Sequence, residues 1–182
     1  SGSSDSKTKT LAMFDAINRH DVSGALAYFA DDVHYVMDDG SSISGKPALR
    51  KRFQFDSVMA TTVEIGGVWV SGDTVVVDTM VESSDWGRLM GIPGVHSYPG
   101  SRFVFEKGLI KTVEFSASLP EDANIFRSRV NSFMNWFVNA HPERINEVKN
   151  HTFFQFSAEC ASDWMRLAVE WHEWKSTRGM LN

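Results

Sequence analysis

Few residues in this sequence are placed to do chemistry, and most common catalytic arrangements are missing. The single cysteine, Cys160, can form neither an internal disulfide nor a thiolate pair for a metal. Within Glu159-Cys160-Ala161-Ser162-Asp163 it reads as a packed helix residue. The six histidines show no H-x-x-x-H or H-E-x-x-H spacing, and His172-Glu173 has no second histidine four residues away, so no metal is expected. Neither a G-x-S-x-G nucleophile motif nor a glycine-rich phosphate loop occurs. What remains are carboxylates in or beside apolar strands: Asp38-Asp39 at a turn, Asp78 and Glu82, and Glu114. His96 and Tyr98 add a proton shuttle and a phenol in a loop rich in Gly and Pro. A carboxylate held in dry apolar surroundings has a raised pKa, which suits a general base working near neutral pH.

These groups need a scaffold, and the chain supplies one. With 182 residues, 42% of them hydrophobic, it can build one domain with a substantial core. A net charge of −5 argues against nucleic acid and anionic membrane surfaces as partners. No apolar run reaches the roughly 18 residues of a membrane span and no signal-peptide core opens the chain, so the cytoplasm is the expected location. The polar stretch 1–10 reads as a disordered added tail. Leu11, Phe14, Ile17, Val22, Leu26 and Phe29 then mark two helices broken at residues 18–21, with Asp21 capping the second and residues 30–32 ending it. Strands are predicted at 33–37, 61–70, 74–83, 101–106 and 109–118, and a third helix starts at Pro47. Gly66-Gly67 inside a strand pattern reads as a bulge or bend that curves the sheet. Residues 86–100 read as a loop crossing. From Glu121 onward the period is helical, with one helix predicted from about 146 to 175 and a heavy aromatic load. Those rings pack on the preceding module or across a dimer, or cover a pocket mouth. On strand 74–83, Val75, Val77 and Val81 define the apolar face, which leaves Asp78 and Glu82 toward solvent.

Several segments, in order, carry a family resemblance. Residues 26–33 (LAYFADDV), 43–49 (ISGKPAL), 70–77 (VSGDTVVV), 91–93 (GIP) and 103–110 (FVFEKGLI) resemble the SnoaL-like branch of the nuclear transport factor two (NTF2)-like superfamily. The resemblance implies an α+β cone over residues 11–118, a curved, mainly antiparallel sheet wrapped by helices around an apolar pocket. Residues 119–182 then form a C-terminal helical extension packed on it. It further implies no cofactor, a small and mostly apolar metabolite as partner, and frequent homodimerisation. Ile110, Thr112, Glu114 and Ser116 would face inward, with Glu114 the base, Asp38 a second acid or base, and His96 or Tyr98 a donor. Met13, Ile17, Trp69, Phe103, Thr112 and Ser116 would bind the ligand. Some family positions are empty: Ser116 or Ser118 stands where cyclases place a terminal-strand Asp, and Met13 and Ser101 stand where ketosteroid isomerase has its oxyanion pair. The Asp-Arg-Asp arrangement of limonene-type epoxide hydrolases is not visible. The expected function is a cofactor-independent cyclase, isomerase or dehydratase acting by proton transfer on a polyketide- or terpenoid-like compound. The competing expectation is a non-catalytic module binding a hydrophobic ligand or a partner.

Overall fold

The structure, a computed structural model, describes residues 2–97 and 100–180. Helix α1 (Gly2–Asn18) already includes most of the stretch expected to be a disordered tail. Ser6 and Thr10 are buried on its inner face. Small hydroxyl residues tolerate this because a local bond satisfies them, here Thr10 Oγ1 donating to the Ser6 carbonyl at 2.9 Å. Lys9 Nζ also donates to the Gly108 carbonyl at 3.0 Å, tying the helix to the sheet. As the sequence predicts, Asp21 caps α2 (Val22–Leu26), accepting from the Gly24 amide at 2.9 Å. The chain then extends sooner than expected: strand β1 (Phe29–Val36) begins where residues 30–32 were read as a helix end.

After the short β2 (Ser42–Ser44), α3 (Lys46–Val58) starts with Pro in its first turn. Strands β3 (Thr62–Ser71) and β4 (Thr74–Ser83) form a long hairpin. Residues 86–100 hold more than a loop. They include α4 (Asp85–Met90), capped by Ser84 and stopped by Gly91 at φ +71°, and β5 (Val95–Ser97). A six-residue helix shows too little of its period to be read from sequence. Strands β6 (Ser101–Glu106) and β7 (Leu109–Glu114) complete a mixed sheet of order β2-β1-β7-β6-β4-β3, with β5 paired to β4. Among the described residues, only β1 and β7 pair in parallel; the other neighbours are antiparallel. This is the α+β cone the sequence implied.

Two irregularities decide which side chains enter it. On the β3–β4 ribbon, Val63 and Ile65 pack inward opposite Glu82 and Met80, but beyond the bend Val68 and Val70 face inward opposite Val77 and Val75. The inward face therefore changes parity between residues 65 and 68, at Gly66-Gly67. Gly67 has φ +62°, and a Cβ there would lie 2.8 Å from the Asp78 Cβ. Gly67 therefore requires glycine, and a Cβ on Gly66 would meet Thr79 Oγ1 at 2.7 Å and force that hydroxyl to move. The sequence reading of this pair as a bend is met. The second irregularity is a bulge in β7: Val104 pairs with Thr112 but Phe105 with Ile110, leaving Lys111 as an extra residue. Ile110 and Val113, three residues apart, are consequently both fully buried.

The C-terminal extension builds a second core. Helix α5 (Pro120–Ala140) is followed by α6 (Ile145–Lys149) and α7 (Ala158–Ser176). The single helix expected over 146–175 is interrupted because His151 takes φ +59° and Ser157 caps a new start, accepting from the Cys160 amide. Phe133, Phe137, Leu167 and Trp171 bury against Trp86 and Met90 of α4 and Met59 after α3. Phe137 and Phe153 stand 4.6 Å apart, and Phe133 meets Trp171 edge-on at 5.7 Å. Each such ring contributes roughly 1.5–3 kcal/mol by leaving water. Among the described residues, no helix is long and apolar enough to cross a membrane.

Candidate active site

The cone closes around a cavity of about 510 Å³. Its apolar walls come from Phe14 and Ile17 of α1, Phe53 of α3, Val63 and Met80 of the ribbon, and Val95 and Phe115. Helix α5 supplies another wall through Ala123, Phe126, Arg127, Val130 and Asn131, so the extension both packs on the cone and encloses its pocket. Into this space project Tyr35, Asp38, Asp39, Arg52, Asp56 and Glu82.

Arg52 and Asp56 lie one turn apart on α3, the spacing at which helix side chains meet. Arg52 Nε donates to Asp56 Oδ2 at 2.8 Å, with both side chains less than a fifth exposed. The guanidinium is held from its other side by the Phe156 ring, 4.6 Å away, which the C-terminal extension delivers. Burial works against the arginine's charge, yet Asp56, Glu82 and Tyr35 outweigh it and hold its pKa above the ordinary value. Burial likewise raises the Asp56 pKa, with Arg52 opposing. Tyr35 packs against the rings of Phe53 and Phe115. Burial pushes its phenol well above its ordinary pKa, so it remains a neutral donor at physiological pH.

Glu82 is the unusual member. Protein surrounds it, yet its carboxylate borders the open cavity and is solvent-accessible there. Among the described residues it has neither a hydrogen bond nor an ion pair. Burial pushes its pKa up to about 7; Arg52 opposes this, while the charges of Asp56 and Asp38 add to it. The parity change at Gly66-Gly67 is what turns it toward the cavity, while it stays solvent-exposed as the sequence reading expected. Together, Asp56, Arg52 and Glu82 form an acid–arginine–acid group that the sequence did not show, assembled from α3 and β4.

The residues expected from sequence are distributed differently. Asp38 does line the cavity and accepts from Ser118 Oγ at 2.7 Å. Glu114 does not: the extra residue at Lys111 flips every later β7 side chain, so Val113 and Phe115 face inward. Glu114 lies on the outer face, half exposed, 3.6 Å from Arg102. Thr112 shares that outer face. His96 also points away, with Nδ1 2.9 Å from Asp122 Oδ2, the same oxygen that accepts from its backbone amide at 2.8 Å. This contact fastens β5 to the first turn of α5 and leaves only the neighbours, Val95 and Ser97, on the cavity wall. Tyr98 lies outside the described residues. Of the expected ligand contacts, Ile17 lines the cavity. Met13 and Phe103 are fully buried beneath it, Phe103 bracing Phe14 and Phe115 edge-on. Trp69 is 47% exposed, because the ribbon's parity change puts Val68 and Val70 inside instead. Ser116 is taken up by Ser101, whose Oγ accepts from its amide at 3.2 Å.

Tyr35, Arg52, Asp56 and Glu82 were thus missed as site residues. The sequence carried two usable signals: an Arg and an Asp at i, i+4 on the helix opposite the sheet, and a double glycine that voids strand alternation beyond it. Among the described residues, no cluster of His, Cys, Asp or Glu could hold a metal ion.

The SnoaL-like domain family matches residues 10–113. No curated protein matches. Among solved structures, an epoxide hydrolase of the limonene type from M. tuberculosis superposes with a TM-score of 0.57 at 16% identity, covering 76% of this chain and 99% of that one. SalBIII, an epoxide hydrolase/cyclase-like enzyme of pyran-ring formation in salinomycin, gives 0.54 at 19% identity, covering 64% and 92%. An NTF2-like protein of unknown function from Cytophaga hutchinsonii gives 0.53 at 11% identity, covering 65% and 94%. At such identities these likenesses speak for the fold alone. With the family match spanning more than half of the sequence and the cone observed, the chain belongs to the SnoaL-like domain family.

Proposed function

We propose that this protein is a cofactor-independent enzyme that moves a proton on a small, mostly apolar metabolite, by cyclisation, isomerisation or dehydration. The observation that carries this reading is Glu82, an unpartnered carboxylate facing a largely apolar cavity with its pKa raised to about 7. Such a group is partly ionised at neutral pH, so it can take a proton from carbon and return it elsewhere. Tyr35, held neutral, is the donor for an oxygen on which negative charge develops. Arg52, fixed by Asp56 and Phe156, supplies a positive charge beside both. Neighbouring folds that are epoxide hydrolase-like or cyclase-like are compatible with polyketide- or terpenoid-like substrates.

The test needs no known product. Carbon-bound protons of enolisable ketones and lactones are followed by proton NMR in deuterium oxide with the wild type and with Glu82→Gln. Enzyme-dependent exchange that Glu82→Gln loses supports the proposal. Exchange that persists within a few-fold in the variant removes Glu82 from the role. Binding of a lipophilic compound with no exchange in either protein supports the non-catalytic alternative.

A further inference from the structure

The charges around the cavity do not balance, and the imbalance bears on what it accepts. Four carboxylates line it, Asp38, Asp39, Asp56 and Glu82, against two cations, Arg52 and Arg127. Arg52 is already committed to Asp56. Arg127 bonds Asn124 of its own helix. The Oδ1 of Asp39 is occupied by the amide and hydroxyl of Ser41, a local turn contact. That leaves Asp38 and Glu82, neither of them ion-paired among the described residues. Asp38 is fixed by a hydroxyl, since Ser118 Oγ donates to its Oδ2, and among the described residues its other oxygen has no such bond. The remaining wall includes the rings of Phe14, Tyr35, Phe53, Phe115 and Phe126. Aromatic faces and surplus carboxylates are both attractive to a cation and unattractive to an anion.

Resting on the reading of this cavity as the functional site, we propose that its substrate carries a protonated amine on a compact apolar body, with Asp38 receiving the ammonium group. Carboxylate- or phosphate-bearing metabolites bind less well for the same reason. Glu82, the other cavity carboxylate without an ion pair among the described residues, is left for the proton transfer.

Three probes of one shape separate the charge from the body: benzylamine, benzyl alcohol and benzoate. Their binding to the full chain is measured by ligand-observed NMR titration at neutral pH. The expected order is benzylamine tightest, about tenfold over benzyl alcohol, with benzoate weakest. Asp38→Asn keeps the acceptor for Ser118 and should bring benzylamine close to benzyl alcohol. Equal binding of amine and alcohol by the wild type, or tightest binding of benzoate, overturns the proposal. So does a failure of benzylamine to bind at millimolar concentration, or an undiminished amine preference in Asp38→Asn. Because binding is read without turnover, these outcomes are distinguishable from the failure of Glu82 in the exchange experiment.

Discussion

Glu82 and Glu114 end neighbouring parts of the same sheet, and their fates are opposite. Both are glutamates near the end of an apolar strand, and simple alternation places Glu82 outside and Glu114 inside. The structure sends Glu114 to the outer face and turns Glu82 toward the cavity, where it remains solvent-exposed. On the β3–β4 ribbon a double glycine lets two strands bend together and swap faces, bringing Glu82 into the cavity. On β7 one extra residue, Lys111, swaps the face of every later side chain and sends Glu114 outside. The lesson is that strand parity holds only between irregularities, and one inserted residue or paired bend is enough to exchange a catalytic candidate for a surface ion pair.

The comparison breaks most sharply in activity. Glu82→Gln should lower any carbon–proton exchange by about two to four orders of magnitude, the usual contribution of a positioned general base. Glu114→Gln should stay within about twofold, since its carboxylate meets Arg102 outside the cavity. Comparable losses in the two variants would undo the assignment.

A second test goes to the bend itself. Gly67→Val forces a branched side chain into φ +62° and against the Asp78 Cβ. Urea unfolding should show a loss of about 3 kcal/mol. Gly72→Ala also takes a positive φ, at +63°, but meets nothing within 4 Å, and should lose only about 1 kcal/mol. If the two cost the same, close approach at the bend is not what requires glycine.

The raised pKa of Glu82 has a signed consequence. The folded carboxyl titrates near 7 and the unfolded one near 4.5. Below the unfolded value both states are protonated and nothing is lost. As pH rises from there through 7, the unfolded state ionises more readily and the native state is relatively destabilised. Open cavity volume beside the group screens it, so the effect is set at about 1 kcal/mol. Glu82→Gln should therefore gain stability over wild type at alkaline pH and show no gain in acid; a gain that grows toward acid reverses the sign and defeats the account. Smallest of all, Glu114→Gln should shift stability by at most about 0.5 kcal/mol, because it removes an exposed pair at 3.6 Å.

Much of the architecture could be read directly. The Asp21 cap, Pro47 at the start of α3, the Ser71-Gly72-Asp73 turn and the Lys107-Gly108 turn are local chemistry, and local chemistry survives into the fold. What failed did so for identifiable reasons. Helix α4 was too short to show its period, and residues 150–151 hid a helix break because Asn and His, although enriched at positive φ, are also accepted inside helices and do not require one. The first helix was discounted because its buried face is built from Ser6 and Thr10 instead of apolar residues.

The sequence by itself determined the class of fold, the order of its elements and the supply of carboxylates in apolar strands. These follow from periodicity and turn chemistry, which act over a few residues. Which carboxylate faces the cavity was decided only in three dimensions. Glu82 comes from β4 and the Arg52–Asp56 pair from α3, Phe156 reaches Arg52 from the far C-terminal extension, and the face of each strand depends on bends set by its neighbours. Alternation is a local rule, while the pKa that makes Glu82 a candidate base arises from groups that meet only once the cone has closed around them.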